Sequence, residues 1–260
     1  NGSSAIEIAL KMSFHYWRNK GQTNKTKFVA LKNGYHGETL GALAVGDVAL
    51  FKETYAPLIM ESILVTSPDC YFREEGESWE AYSLRQFDYM EHMLSMRHEE
   101  IAAVIIEPLV QCATGMRMYH PIYLKKLREA CDKYHVHLIA DEIAVGFGRT
   151  GKMFACDHAD ITPDFMCLSK ALTSGFLALS AVMTTDHIFD AFYDSYESMR
   201  GFLHSHSYTG NPLACRAACA TLDLLQKEQW LEKNVATAKF IWDSLAHLQD
   251  HPNVAEPVSY

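Results

Sequence analysis

The chain has no Lys- or Arg-rich block, no apolar run near the length of a membrane span and no CxxC pair. Each absence removes a class of function. A nucleic-acid groove needs a concentrated positive field, whereas this sequence carries 23 Lys and Arg against 32 Asp and Glu, a formal charge of -9. No nucleic acid is expected as a partner; small-molecule substrates are. A bilayer-crossing helix needs about 20 consecutive apolar residues. None is present, and Asn1-Gly-Ser-Ser has neither the basic nor the apolar region of a secretory leader. The reading is of a soluble, cytoplasmic chain with no membrane partner. The 7 cysteines suit reduced thiols better than a disulfide framework. Cys215 and Cys219, one helical turn apart among alanines, are expected to pack inside a helix interface. The pairs His135-x-His137 and His204-x-His206 have no Cys or Asp at ligand spacing, so no metal is expected.

What is present is a core-forming pattern, with 48% hydrophobic residues in 260. Apolar residues three and four apart predict helices over Ser3 to Arg18, Trp79 to Met96, Pro121 to Tyr134, Asn211 to Leu225 and Trp230 to Leu248. Between them lie short, unalternated apolar runs: Lys27 to Leu31, Ile63 to Val65, Ala102 to Ile106, Val136 to Ala140, Phe165 to Leu168 and Leu179 to Met183. Strands covered on both faces have that character. The expected fold is therefore α/β, a mostly parallel sheet sandwiched by helices. The charge-rich stretch from Phe72 to Glu80 reads as a solvated loop, and no repeat or low-complexity tract is present.

Several residues with chemistry fall at the ends of these runs. Lys170 follows Phe165-Met-Cys-Leu-Ser, an awkward place for a structural lysine. In an apolar pocket its amine would lose its proton more readily, as imine formation requires; the alternative is a lysine reaching out to solvent at a strand end. Asp141 closes Leu138-Ile-Ala and Glu107 closes Ala103-Val-Ile-Ile, which puts two carboxylates at strand ends where α/β sheets bind ligands. Asp141 could equally cap a helix. Gly2-Ser3-Ser4 sits where a helix start offers N–H groups to a phosphate, or where a serine simply caps it. Tyr35 and His36, between glycines after the first strand, could cover a planar ring or be an ordinary buried pair. Gly146-Phe-Gly148-Arg149-Thr-Gly151 is a glycine loop whose Arg149 suits a substrate carboxylate or a surface ion pair. An amine with an opposed carboxylate is what pyridoxal 5'-phosphate chemistry needs, the first to hold the cofactor and the second to keep its ring nitrogen protonated.

In this order the segments resemble the class III aminotransferases, pyridoxal-phosphate enzymes of fold type I. The resemblance rests on Gly34-Tyr35-His36-Gly37, Ile106-Glu107-Pro108, the block from Leu138 to Cys156, Pro163-Asp164 through Lys170-Ala-Leu, and His204-Ser-His-Ser207-Tyr-Thr-Gly210-Asn211-Pro212-Leu213. It implies pyridoxal 5'-phosphate as cofactor, with Lys170 as the Schiff-base lysine, Asp141 facing the pyridine nitrogen and Tyr35 against the ring. Gly2, Ser3, His36, Glu107 and Ile143 complete the implied cofactor site. His206 and Ser207 would reach the phosphate of a neighbouring subunit's cofactor, so a homodimer with a shared active site is implied. Tyr35, Arg149, Lys170 and Ser205 would meet the substrate.

The stretches Leu40 to Asp47 and Gly115 to Pro121 suggest one branch of that family. Glu38 stands where that branch is expected to carry aspartate, and Ser207 stands for a more usual threonine. Transaminases of ω-amino acids, diamines or ornithine are the alternative, and a non-catalytic protein of the same fold a further one. Residues 1–250 are expected to form the cofactor-binding large domain with its exit helix, and 251–260 to begin a C-terminal small domain cut short. By the same resemblance, a segment before Asn1 that covers the substrate pocket is expected to be missing.

Overall fold

Four strands rich in Val, Ile, Leu and Ala have no polar face to offer solvent, and they form the middle of a sheet covered on both sides. A computed structural model describes residues 1–248, 251 and 254. The proposed start of a small domain at 251–260 lies almost wholly outside the described residues.

In chain order the elements are α1 (Gly2–Asn19), β1 (Lys27–Leu31), α2 (Leu40–Val45), α3 (Ala49–Lys52), β2 (Ile63–Val65), α4 (Trp79–Arg97), β3 (Ile101–Ile106), β4 (Val110–Gln111) and β5 (Arg117–Met118). There follow α5 (Pro121–Tyr134), β6 (His137–Asp141), β7 (Phe165–Leu168), β8 (Ala181–Thr184), α6 (Asp186–Phe189), α7 (Pro212–Lys227) and α8 (Trp230–Leu245). Six strands pair in the order β2-β1-β3-β6-β7-β8. All neighbours are parallel except β8, which runs antiparallel to β7 with Leu168 opposite Ala181. The sheet is mostly parallel, as expected.

Alternate side chains of each strand feed two different cores. Val29, Leu31, Val104, Ile106 and Leu138 pack against α4 and α5, with Leu94, Tyr123, Leu124 and Leu127 among the buried partners. Phe28, Ala30, Ala103, Ile105, Ile139 and Phe165 face the other way, against Ile6, Ala9, Leu10 and Trp17 of α1. Helix, sheet and helix thus form three layers. Trp17 Nε1 and Ser13 Oγ both donate to the Ala102 carbonyl, which ties α1 to the sheet through polar atoms as well.

The pairing order places the functional ends. From β1 the chain goes to β2 on one side, and from β3 it goes to β6 on the other. The segments leaving β1 and β3 therefore diverge and open a crevice at their carboxyl ends, where doubly wound sheets bind ligands.

Two expectations are corrected at the level of elements. Cys219 is exposed and Cys215 only half-buried, because the buried stripe of α7 runs through Ala214, Ala218 and Thr221, one position round the helix. The last strand begins at Ala181 instead of Leu179, since the Leu179 carbonyl is taken by Ser169 Oγ at 2.7 Å before pairing with β7 starts.

Candidate active site

The crevice holds a cavity of about 370 Å³ whose wall includes Gly2, Ser3, Tyr35, His36, Gly37 and Glu107. Cys112, Asp141, Ile143 and Lys170 complete its chemistry. Each comes from the carboxyl end of β1, β3, β6 or β7, from the loop between β4 and β5, or from the first turn of α1. The sheet topology therefore gathers residues up to 169 positions apart (Asn1 and Lys170) on one wall.

Asp141 is buried, at 5% exposure. Its Oδ2 lies 2.7 Å from His36 Nδ1, and its Oδ1 accepts from the Ile143 N–H at 3.1 Å. No helix starts here, so the capping alternative falls away; the carboxylate is held at the cavity wall by an imidazole. Burial alone would lower the pKa of His36, yet the hydrogen bond and charge of Asp141 outweigh it and raise it. The imidazole therefore carries its proton more readily than a free histidine, and the pair is charge-assisted.

Glu107 sits behind the pair, accepting from the Tyr35 N–H at 2.9 Å and from the Cys112 N–H at 3.1 Å. It ties the loop after β1 to the hairpin after β3. Its burial pushes the carboxyl up to about 7, with the Asp141 charge adding to that and His36 opposing it. Cys112, beside it, is pushed up to about 11 by burial and by the Glu107 charge. That thiol is protonated at neutral pH and a poor nucleophile.

Tyr35 is half-buried, and its hydroxyl donates to Glu38 Oε1 at 3.0 Å. Burial and that hydrogen bond raise its pKa. The phenol keeps its proton.

α1 starts at the cavity with Asn1 as its cap, the Asn1 side chain accepting from the Ser4 N–H at 3.1 Å. The serines are thus not needed as caps, and the N–H groups of Gly2 and Ser3 in the first turn have no intrahelical acceptor. A Cβ on Gly2 would come within 3.1 Å of the Ile143 side chain. At Gly37, φ is +120° and a Cβ would fall on Ser3 Oγ. Both glycines keep the helix start, the Tyr35 loop and the end of β6 in close approach.

Lys170 is exposed and lines the cavity at the end of β7, with φ at +44°. The enclosed apolar pocket expected for it is not supplied by the described residues. A lysine in the left-handed region directly after an extended Ser169 is a costly turn, one that re-aims its side chain off the strand axis.

The structure does not bring every expected residue to this cavity. Arg149 lines a larger one, about 1030 Å³, between the 149–152 loop and α8, because the Gly148 carbonyl is held by Asn234 Nδ2 at 2.6 Å and turns the loop toward that helix. It does not line the Lys170 cavity, though its charge reaches Cys112 there. Ser205, His206 and Ser207 lie on an exposed segment and form no part of the cavity wall.

Glu142 was not singled out from the sequence, although its place in Asp141-Glu142 was visible. It is fully buried and accepts from the N–H groups of Ala155 and Cys156 at 3.0 and 2.8 Å. It fixes the return of the glycine loop, and burial raises its pKa. No cluster of three or more His, Cys, Asp or Glu with metal-holding geometry occurs among the described residues.

The model of the aminotransferase class-III family matches residues 1–259. Among known proteins, the adenosylmethionine-8-amino-7-oxononanoate aminotransferase of Helicobacter pylori (strain ATCC 700392 / 26695) is 48% identical over 246 residues, 94% of this chain and 54% of its own length. The crystal structure of the like-named enzyme from Methanocaldococcus jannaschii superposes with a TM-score of 0.91 at 35% identity, over 100% of this chain and 57% of that one. An omega transaminase from Pseudomonas jessenii in complex with PMP superposes with a TM-score of 0.93 at 30% identity, again over 100% of this chain and 57% of that one. The chain thus spans little more than half the length of these relatives.

Proposed function

We propose, from the premise that this chain belongs to the class III aminotransferases, that it carries the cofactor site of an enzyme transferring an amino group from S-adenosylmethionine to 8-amino-7-oxononanoate. The product would be 7,8-diaminononanoate, on the route to biotin. The observation that carries the reading is the meeting of Lys170, the buried Asp141–His36 pair and the start of α1 on one cavity. The donor and acceptor come from the names of the two adenosylmethionine-dependent relatives.

The residues fit pyridoxal 5'-phosphate by their chemistry. Lys170 offers the amine that holds it, Asp141 a buried acceptor for a ring N–H, and the first turn of α1 unpaired N–H groups for its phosphate. Glycines 2 and 37 leave a cradle that a Cβ would fill. When bound, the cofactor supplies an electron sink for the carbon that bears the transferred amine.

The chain's own residues do the rest. Lys170 Nζ takes a proton from the donor's amine-bearing carbon and, in the second half of the cycle, gives one to the acceptor carbon that receives the amine, as a positioned general base and then acid. Asp141, held by His36 Nδ1 and by the Ile143 N–H, has one fixed orientation, so its charge favours a protonated ring nitrogen without reorganising. Glu107 keeps the Tyr35 loop against the hairpin and so keeps both walls in place. The Tyr35 ring forms one side, its hydroxyl engaged by Glu38.

The same reading has the molecule work as a cytoplasmic homodimer, with His206 and Ser207 of one subunit completing the phosphate site of the other. Their exposure outside their own cavity supports this. No helix among the described residues is long and apolar enough to cross a membrane.

A second reading is favoured by Glu38 and by the fit to omega transaminases: an enzyme of the same family that takes an ω-amino acid, diamine or ornithine. Half-reaction spectra separate the two. Adenosylmethionine should bleach the visible band of the lysine-bound cofactor, and 8-amino-7-oxononanoate should restore it. Bleaching by β-alanine or ornithine alone supports the second reading.

A further inference from the structure

We propose that Ser169 is a positioning residue for Lys170, its buried hydroxyl holding the strained backbone turn that aims the lysine amine into the cavity. The inference rests on the reading of Lys170 as the cofactor-bearing lysine, and on no particular amino donor.

Left to strand geometry, the amine would point elsewhere. Side chains alternate along β7: Phe165 and Cys167 face α1, whereas Leu168 packs with Phe147, Leu172 and Ala218 on the opposite side. A continued strand would put Lys170 on the side of Leu168. Instead the chain turns at Lys170, with φ at +44°, and the lysine lines the same cavity as Gly2 and Ser3 at the start of α1. Left-handed backbone is unfavourable for a residue with a side chain and persists only where its surroundings impose it. The long stem of lysine is flexible, so the backbone has to supply the aim.

Ser169 ties that turn on both arms. Its carbonyl accepts from the Leu172 N–H at 2.9 Å on the way out, and its hydroxyl donates to the Leu179 carbonyl at 2.7 Å on the way back. The second bond closes the loop around Lys170 just before β8 starts pairing at Ala181. Ser169 is 5% exposed, so water does not readily replace a donor lost there. Another hydroxyl bond, from Thr173 Oγ1 to the Leu177 carbonyl at 2.6 Å, closes the tip of the same loop. Thr173 is buried too, but its bond spans residues beyond Lys170 and does not enclose it. Without the Ser169 hydroxyl the returning arm is released, the turn relaxes toward extended backbone and the amine swings to the side of Leu168. A displacement of about 1 Å in a reacting group can cost roughly a hundredfold in rate.

The test compares Ser169→Ala with Thr173→Val, which removes the same kind of bond at a similar depth, and with Ser169→Thr, which keeps the hydroxyl. Each cofactor-loaded protein is mixed with an amine, protiated or deuterated at the carbon that loses its proton, and bleaching of the visible band is followed without acceptor. Adenosylmethionine is the first amine tried; any amine that bleaches the native band serves. Expected for Ser169→Ala are a bleaching rate roughly ten- to a hundredfold lower at saturation, an unchanged concentration for half-maximal rate and a larger deuterium effect. The band should also form more slowly when pyridoxal 5'-phosphate is added to the cofactor-free variant. Thr173→Val should match the native protein in all four respects, and Ser169→Thr should recover most of the rate. Urea midpoints check folding; should Ser169→Ala not fold, Ser169→Cys, of like size with a weaker donor, takes its place with the same expectations. A native rate and isotope effect in Ser169→Ala overturns the inference, as does a change confined to the half-maximal concentration, an equal loss in Thr173→Val or no recovery in Ser169→Thr. A visible band that survives Lys170→Ala overturns instead the reading of Lys170 itself.

Discussion

Asp141 and Glu107 both end strands and both are buried, yet their surroundings separate their roles. Asp141 has His36 at 2.7 Å to support its charge. Glu107 has backbone N–H partners, and burial pushes its carboxyl up to about 7. A carboxyl whose folded value lies above its ordinary one, here 4.5, holds a proton in the fold where the unfolded chain has lost it. Its contribution is full below about 4.5 and is lost as the pH rises through about 7. Urea denaturation of the cofactor-free protein should therefore show stability falling between pH 5 and pH 8, and Glu107→Gln should flatten that fall. An equal fall in the variant would assign the effect to other groups. Gly37→Ala should cost roughly 1–3 kcal/mol from the left-handed backbone alone, with a further loss because Ser3 must move. The check is weaker retention of the cofactor on gel filtration, and full retention would contradict the cradle. Lys170 and Asp141 were legible as residue types at strand ends. The partner of Asp141 was not, since nothing in local sequence says that His36, on a different loop, folds onto it.

At the level of elements, sequence periodicity located the helices well because α1, α4, α5 and α7 each bury one face. Pro121 at the first turn of α5 and Ser78 capping α4 mark their starts. Missed were the two-residue strands β4 and β5 and the short helices α2, α3 and α6. Such elements are too short for a period and are fixed by tertiary partners, here the Tyr119 N–H donating to the Leu109 carbonyl and the Tyr119 hydroxyl to the Glu107 carbonyl. The course of the Arg149 loop was illegible for a related reason. Its glycines announce a turn but not the direction it takes, and a contact from α8 sets that direction. The layer of α4 and α5 stabilises the strands that carry the site. Leu127→Ala, at a fully buried position, should lower stability by about 2–5 kcal/mol with little change in the cofactor spectrum. A change below 1 kcal/mol in denaturant titrations would mean that this layer is less tightly packed than its burial indicates.

For the whole molecule, the strand order β2-β1-β3-β6-β7-β8 opens one crevice, and the functional residues gather there. The apolar runs made the parallel α/β class legible; the strand order itself depends on crossover direction, which no single segment encodes. The proposed dimer belongs to this scale, since His206 and Ser207 do not line the Lys170 cavity of their own subunit. Sedimentation of the cofactor-loaded protein is expected to show a dimer, and Ser207→Ala should loosen the cofactor without shifting its band. A monomer that holds the cofactor tightly would contradict the shared site. The central claim is that Lys170 holds the cofactor and Asp141 tunes it, and an absorbance scan with pyridoxal 5'-phosphate tests it most directly. Native protein should develop a visible band that adenosylmethionine bleaches and 8-amino-7-oxononanoate restores, and Lys170→Ala should show no such band. An unchanged band in Lys170→Ala would contradict the account.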